Sequence, residues 1–147
     1  MVGGAQEDFE AMRPLFACMG KSITLTGGPG CGQHTKMANQ IAIAGCVAGV
    51  AEAIRYGEAG GLDIGNMLGC ISAGAAGSWQ MSNNGPKMAA GDYAPGFFIK
   101  HFIKDMRIAV EEAEKSGASL PVLAQVLSMY EGMQARGQGD LGTQAII

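Results

Sequence analysis

Between Gln33 and Ala59 the apolar residues fall on nearly every side of a helical turn, with no proline to interrupt them. A stretch so rich in alanine, isoleucine and glutamate predicts a single helix, about 40 Å long at 1.5 Å per residue. An all-round apolar surface predicts that it is buried inside a bundle rather than lying on one. Ala42, Ala44, Gly45, Ala48 and Gly49 would let neighbouring helices approach closely, and Gly60-Gly61 ends the run. Asp63 is the expected N-cap of a short helix reaching Ser72. Gly74-Ala75-Ala76-Gly77 is a loop, Ser78 to Met88 another short helix, and Gly91-Asp92-Tyr93-Ala94-Pro95-Gly96 a second loop. A long helix is predicted over 99–116, with Phe102, Met106, Ala109, Val110 and Ala113 on its inner stripe. Ser119 and Pro121 open the next, over 121–136, with proline in the first turn. Asp140 is a candidate cap for a last helix.

The opening has a different texture. Met1-Val2-Gly3-Gly4 reads as the tail of a strand, and Gln6 to Met12 as a helix stopped or kinked at Pro14, with another short turn through Cys18. Ser22-Ile23-Thr24-Leu25-Thr26 has the β-branched alternation of a strand, closed by Gly27-Gly28-Pro29-Gly30. Such a β-α-β piece cannot make a stable sheet alone and resembles the edge of a larger α/β domain. The fold class expected for the chain is therefore all-α, a helical bundle around one long central helix, with a short β-α-β remnant at its N-terminus.

Composition changes this picture little. The 147 residues are 48% hydrophobic and 16% charged, with a formal net charge of -3. Those values suit one globular domain and offer no basic cluster for nucleic acid or an anionic membrane. The four cysteines, Cys18, Cys31, Cys46 and Cys70, stand far apart without ligand spacing, so no metal site is expected and reduced thiols in a cytosolic protein are the simpler reading. The segment 37–53 contains Asn39, Gln40 and Glu52 and falls short of the ~20 strongly apolar residues of a membrane span. No signal peptide is visible.

Candidate chemistry concentrates where the glycine-rich loop feeds the long helix, at Gly30-Cys31-Gly32-Gln33-His34-Thr35-Lys36. A phosphate-binding P-loop needs its lysine directly after the last glycine, and a dinucleotide loop needs a third glycine where Gln33 stands. Both matches are weak. A lysine at a helix start is electrostatically misplaced, because that end carries partial positive charge. It can be a solvated surface lysine. The alternative is a proton donor or acceptor whose neutral amine is favoured by burial and the dipole. Asn39 and Gln40, three and four residues on, would share its face and could hold a substrate oxygen.

The run GxGxxxK followed by Met37-Ala38-Asn39-Gln40, with Gly49-Val50-Ala51-Glu52-Ala53 further along the same helix, resembles the 3-hydroxyisobutyrate dehydrogenase family. Tartronate semialdehyde and glyoxylate reductases belong to that group, and 6-phosphogluconate dehydrogenase is a distant relative. The likeness continues through Gly74-Ala75-Ala76-Gly77-Ser78, Pro95-Gly96-Phe97 and His101-x-x-Lys104-Asp105, in order and over essentially the whole chain. It implies the helical C-terminal domain of an NAD(P)-dependent β-hydroxyacid dehydrogenase. Lys36 would be the catalytic lysine, Asn39 and Gln40 substrate-binding, and Lys104 the contact to the cofactor. Phe97 and Asp105 match positions near the substrate; packing for the first and a surface ion pair for the second are equally simple readings. His101 reads as a helix-packing residue, and Trp79 as a pocket-lining or core aromatic.

The resemblance also implies what the chain lacks. Members of that family begin with a Rossmann domain bearing a glycine-rich pyrophosphate loop and a substrate-carboxylate motif, and neither is present in these residues. The expected division is thus 1–28 as the edge of such a domain and 29–147 as the helical catalytic and oligomerisation domain, inactive alone. NAD or NADP, a small β-hydroxy acid or semialdehyde, the N-terminal Rossmann domain and further copies of the chain, as a dimer or tetramer, are the implied partners. A non-catalytic helical assembly module is the competing expectation.

Overall fold

In the computed structural model, which describes residues 1–147, six helices carry the chain and strand pairing amounts to isolated bridges. They are α1 (Gln6–Met19), α2 (Cys31–Ala59), α3 (Ile64–Ser72), α4 (Gly85–Ala89), α5 (Ile99–Ser116) and α6 (Pro121–Ala135). The all-α expectation holds. Two compact units are present, Met1–Asn39 and Gln40–Ile147.

In the first unit, Val2 pairs in parallel with Leu25 across α1, with Val2 N–H donating to Thr24 O at 2.9 Å and Thr26 N–H to Val2 O at 2.8 Å. The β-α-β pattern read from the sequence is therefore present, although each strand shrinks to a bridge. Pro14 does not stop α1. It lies within a continuous helix, because a proline there forfeits a single i→i−4 bond while the turns on either side keep theirs. Phe9 is the buried anchor of α1, its ring 6.1 Å from that of Phe16.

The second unit is organised on the rest of α2. Ala44, Val47, Val50, Ala51 and Ile54 are buried. Gly57 admits Met67 and Ile64 of α3 so closely that a Cβ would stand 2.6 Å from the Met67 sulfur. Gly85 of α4 faces Val50 and Leu68, and Gly45 faces Val122 of α6. Of the small residues expected to admit neighbouring helices, Ala44 and Ala48 are buried and Gly45 faces Val122, whereas Ala42 and Gly49 are exposed; the close approach falls at Gly57 instead. Complete burial does not follow: Ala42, Cys46, Gly49 and Tyr56 are exposed in this chain. Taken whole, α2 is long and apolar enough to cross a bilayer by length and composition, with a mean hydropathy of 1.4 in its most apolar window, so the expectation that 37–53 falls short of a span does not hold for the whole helix. A core helix of a soluble domain meets the same criterion, and 33% of the window is already buried here.

Local signals explain the remaining elements. Asp63 caps α3, its Oδ1 accepting from Asn66 N–H at 2.7 Å. Between Ser78 and α4 the helix widens into one π-type turn, Gln80–Asn84, where Gly85 N–H reaches back to Gln80 O. Pro86 follows and has no N–H, so the wide turn sacrifices no further donor. Gly117, at φ 72°, closes α5 by returning its N–H to Glu114 O while Ala118 N–H reaches Ala113 O. Asp140 caps no helix. The chain ends in a short 3₁₀ turn, Thr143–Ile146, preceded by Gly142, and Asp140 instead pairs with Lys100 at 2.5 Å.

Helices α5 and α6 form the densest part of the core through Phe102, Ile103, Met106, Leu123 and Tyr130. Tyr130 packs edge-on to Phe102 at 5.3 Å and donates its hydroxyl to Thr143 O at 2.6 Å. Burial pushes its phenol well above the ordinary value. The folded state therefore keeps this proton where the unfolded chain releases it, above about pH 10, and stability falls as pH rises through that range. Tyr130→Phe is expected to remove this alkaline component. It should also cost about 1–3 kcal/mol at neutral pH, by orphaning the Thr143 carbonyl. Urea melts of both proteins at neutral pH and above pH 10 measure the two effects.

Candidate active site

The loop that feeds α2 owes its glycines to geometry. Gly30 has φ 89°, open to glycine and strained for other residues. Gly32 lies against the first strand so tightly that a Cβ would meet Gly3 N at 3.0 Å and Met1 O at 3.2 Å. The chain then enters α2, with His34 N–H donating to Gly30 O at 3.1 Å and the Thr35 hydroxyl to Cys31 O at 2.7 Å. Lys36 follows in the second turn of α2, half-buried, and Asn39 is exposed; both belong to the first unit.

In the second unit three of the expected site residues meet. Gln40 of α2 is 2% exposed and Asp105 of α5 is 6% exposed. The Gln40 Nε2 donates to Asp105 Oδ2 at 2.8 Å, across α2 and α5. The other carboxylate oxygen, Oδ1, lies 3.0 Å from Lys104 Nζ. Each Asp105 oxygen therefore has a partner, as a buried carboxylate requires. The simple surface ion pair is corrected on one side only: Lys104 is exposed, with 66% side-chain exposure, but Asp105 is not.

An ammonium group has three donors, so Lys104 can hold Asp105 with one and offer others outward from an exposed position. That fits a contact to an anionic or amide-bearing cofactor. Asp105 orients the amide of Gln40, drawing its NH₂ inward. Phe97 sits in the loop before α5, 37% exposed, with its ring edge-on to Phe102 at 5.9 Å. His101 is exposed rather than packed in the core, its ring 5.6 Å from Phe98. Trp79 is no core aromatic, being 67% exposed.

Sequence reading missed two polar groups. Asn84 Nδ2 donates to Gln80 Oε1 at 2.6 Å, both residues buried in the π-type turn. Gln144 is 2% exposed and ties the C-terminal turn to the Asp92–Ala94 backbone. The first pair had a legible signal, two amides four residues apart on one short helix. Gln144 had none, since its partners lie about fifty residues away in sequence.

The fold of this helical domain, built on one long helix, is shared with a solved hydroxyacid dehydrogenase. The 3-hydroxyisobutyrate dehydrogenase of Mycobacterium tuberculosis, solved with L-serine, superimposes with a TM-score of 0.91 at 27% identity, covering 99% of this chain and 52% of that one. The chain belongs to the 3-hydroxyisobutyrate dehydrogenase family: the model described as NAD-binding of NADP-dependent 3-hydroxyisobutyrate dehydrogenase matches residues 30–147. An uncharacterized oxidoreductase of Bacillus subtilis (strain 168), YkwC, is 52% identical over 99% of this chain and 51% of its own length. The 2-hydroxy-3-oxopropionate reductase of Escherichia coli (strain K12) is 34% identical over 100% of this chain and 50% of its own length. The chain spans about half the length of the curated relatives it matches.

Proposed function

We propose that this chain is the helical half of an NAD(P)-dependent dehydrogenase that interconverts a small 3-hydroxy acid and its semialdehyde. The observation that carries the reading is the buried Gln40–Asp105 pair with Lys104 at its rim, within a family match that also contains Lys36. Bound nicotinamide, NAD or NADP, would supply or accept the hydride. Lys104 would hold the cofactor from the helical side, and Asp105 would keep that lysine in place. In oxidation, Lys36 would take the hydroxyl proton of the substrate. In reduction, its ammonium returns a proton to the carbonyl oxygen. Asn39 and Gln40 would hold the substrate, and Phe97 would bound its pocket. The first 28 residues are assigned to the edge of a Rossmann domain that carries most of the cofactor contacts.

The test is turnover by the natural full-length protein containing this chain, followed by nicotinamide absorbance. Short 3-hydroxy acids are offered with NAD and NADP, and the matching semialdehydes with the reduced cofactors. Oxidation or reduction of at least one such pair is expected, and no turnover with any combination would overturn the reading.

Assembly is a second role, supported by a separate observation. Ala42, Cys46, Gly49 and Tyr56 lie exposed along α2, and a largely apolar helix face of this kind is suited to burial against another copy. Sedimentation equilibrium should find a dimer or larger species; a well-behaved monomer at high concentration would count against it.

A further inference from the structure

The loop carrying Phe97 is built on the C-terminal turn. Gly142 N–H donates to Tyr93 O at 2.9 Å, and Thr143 N–H to Phe97 O at 3.1 Å. In the other direction, Ile99 N–H donates to Leu141 O at 3.0 Å, where the start of α5 would otherwise leave donors unpaired. Phe98 and Gly142 form an antiparallel bridge. The side chain of Gln144 completes the attachment: its Nε2 donates to Asp92 O at 3.1 Å and to Ala94 O at 2.9 Å. Both hydrogens of that amide are used on the loop, and the residue is fully buried.

Gly142 makes room for it. Its φ of -72° is open to any residue, so backbone freedom does not explain the glycine. Space does: a Cβ at this position would stand 2.4 Å from Gln144 Oε1 and 2.8 Å from Cδ. The two residues form one device, an amide folded over a missing side chain.

We propose that Gln144, seated on Gly142, is a positioning residue for catalysis, acting through the Asp92–Phe97 loop to set the place of Phe97. The inference rests on the functional reading above, in which Phe97 bounds the substrate pocket. A backbone held at both ends by buried donors has few alternative conformations, and a displacement of an ångström in a substrate-facing group is enough to slow turnover.

The experiment uses Gln144→Met in the full-length protein, which keeps volume and removes both donors. Amide exchange at Ile99, Gly142 and Thr143 is expected to accelerate by about tenfold or more as the attachment loosens. Substrate kcat/KM should fall by about tenfold, with the cofactor KM unchanged. Combining it with Phe97→Leu should add little to the loss from Phe97→Leu alone, because both act through one ring. Unchanged exchange overturns the proposal. Faster exchange with wild-type kinetics, or with a loss that multiplies undiminished in the double variant, overturns the positioning role. If Gln144→Met does not fold, Gln144→Asn, which retracts the amide by one methylene, is put through the same measurements. A wild-type protein inactive on all hydroxy acids and semialdehydes would sink the functional reading instead, and the exchange rates would still decide whether Gln144 holds the loop.

Discussion

Lys36→Ala in the full-length protein should lower kcat by about 10²-fold or more, the scale of a lost general acid or base, with cofactor affinity nearly unchanged. Lys36 follows the tight Gly30–Gly32 entry to α2 and is half-buried there. Charge develops on the substrate oxygen only as hydride moves, which is why the loss should appear in kcat rather than in cofactor binding. Lys36→Arg should fail as well. A guanidinium stays protonated and cannot exchange a proton near neutral pH, and its bulk would crowd the substrate. Steady-state kinetics of both variants decide the matter: near-normal rates in either would show a solvated surface lysine.

Asp105 has the second large expected effect, and two substitutions separate its two functions. Asp105→Ala leaves the buried Gln40 amide without its acceptor, at a cost of about 1–3 kcal/mol. For a chain of this size that corresponds to roughly 2–4 °C of melting temperature per kcal/mol. It also frees Lys104, so the cofactor KM should rise. Asp105→Asn keeps an acceptor for Gln40 and loses the charge that holds the lysine. It should melt close to wild type and still show a raised cofactor KM. Lys104 is largely exposed, so the ion pair by itself contributes little stability. Equal melting temperatures for Asp105→Ala and wild type would remove Asp105 from the structural role. A wild-type cofactor KM in Asp105→Asn would remove it from the positioning of Lys104.

Much of this molecule was legible from local pattern. The bounds of α5 follow from an apolar stripe and Gly117, those of α6 from Pro121, and the start of α3 from Asp63. Periods and caps act within a few residues, so a single pass along the chain finds them. The same locality misled the reading at Pro14, where one missing N–H was not enough to break α1, and at Asp140, whose partner Lys100 is forty residues away.

Spacing along the chain was enough to mark α2, α3, α5 and α6 and to put Lys36 at the end of a glycine-rich entry. Tertiary structure alone decided which polar groups are buried together. Gln40 and Asp105 are separated by 65 positions and meet because the fold brings this position of α2 within hydrogen-bond reach of α5. Gln144 meets the loop at Asp92 and Ala94 because the chain end turns back along the loop that precedes α5. Gly142 is glycine because that amide lies where its Cβ would be. Hydrogen-bond donors buried from water must find acceptors wherever the fold brings them, and that requirement acts through space, where sequence distance has no bearing.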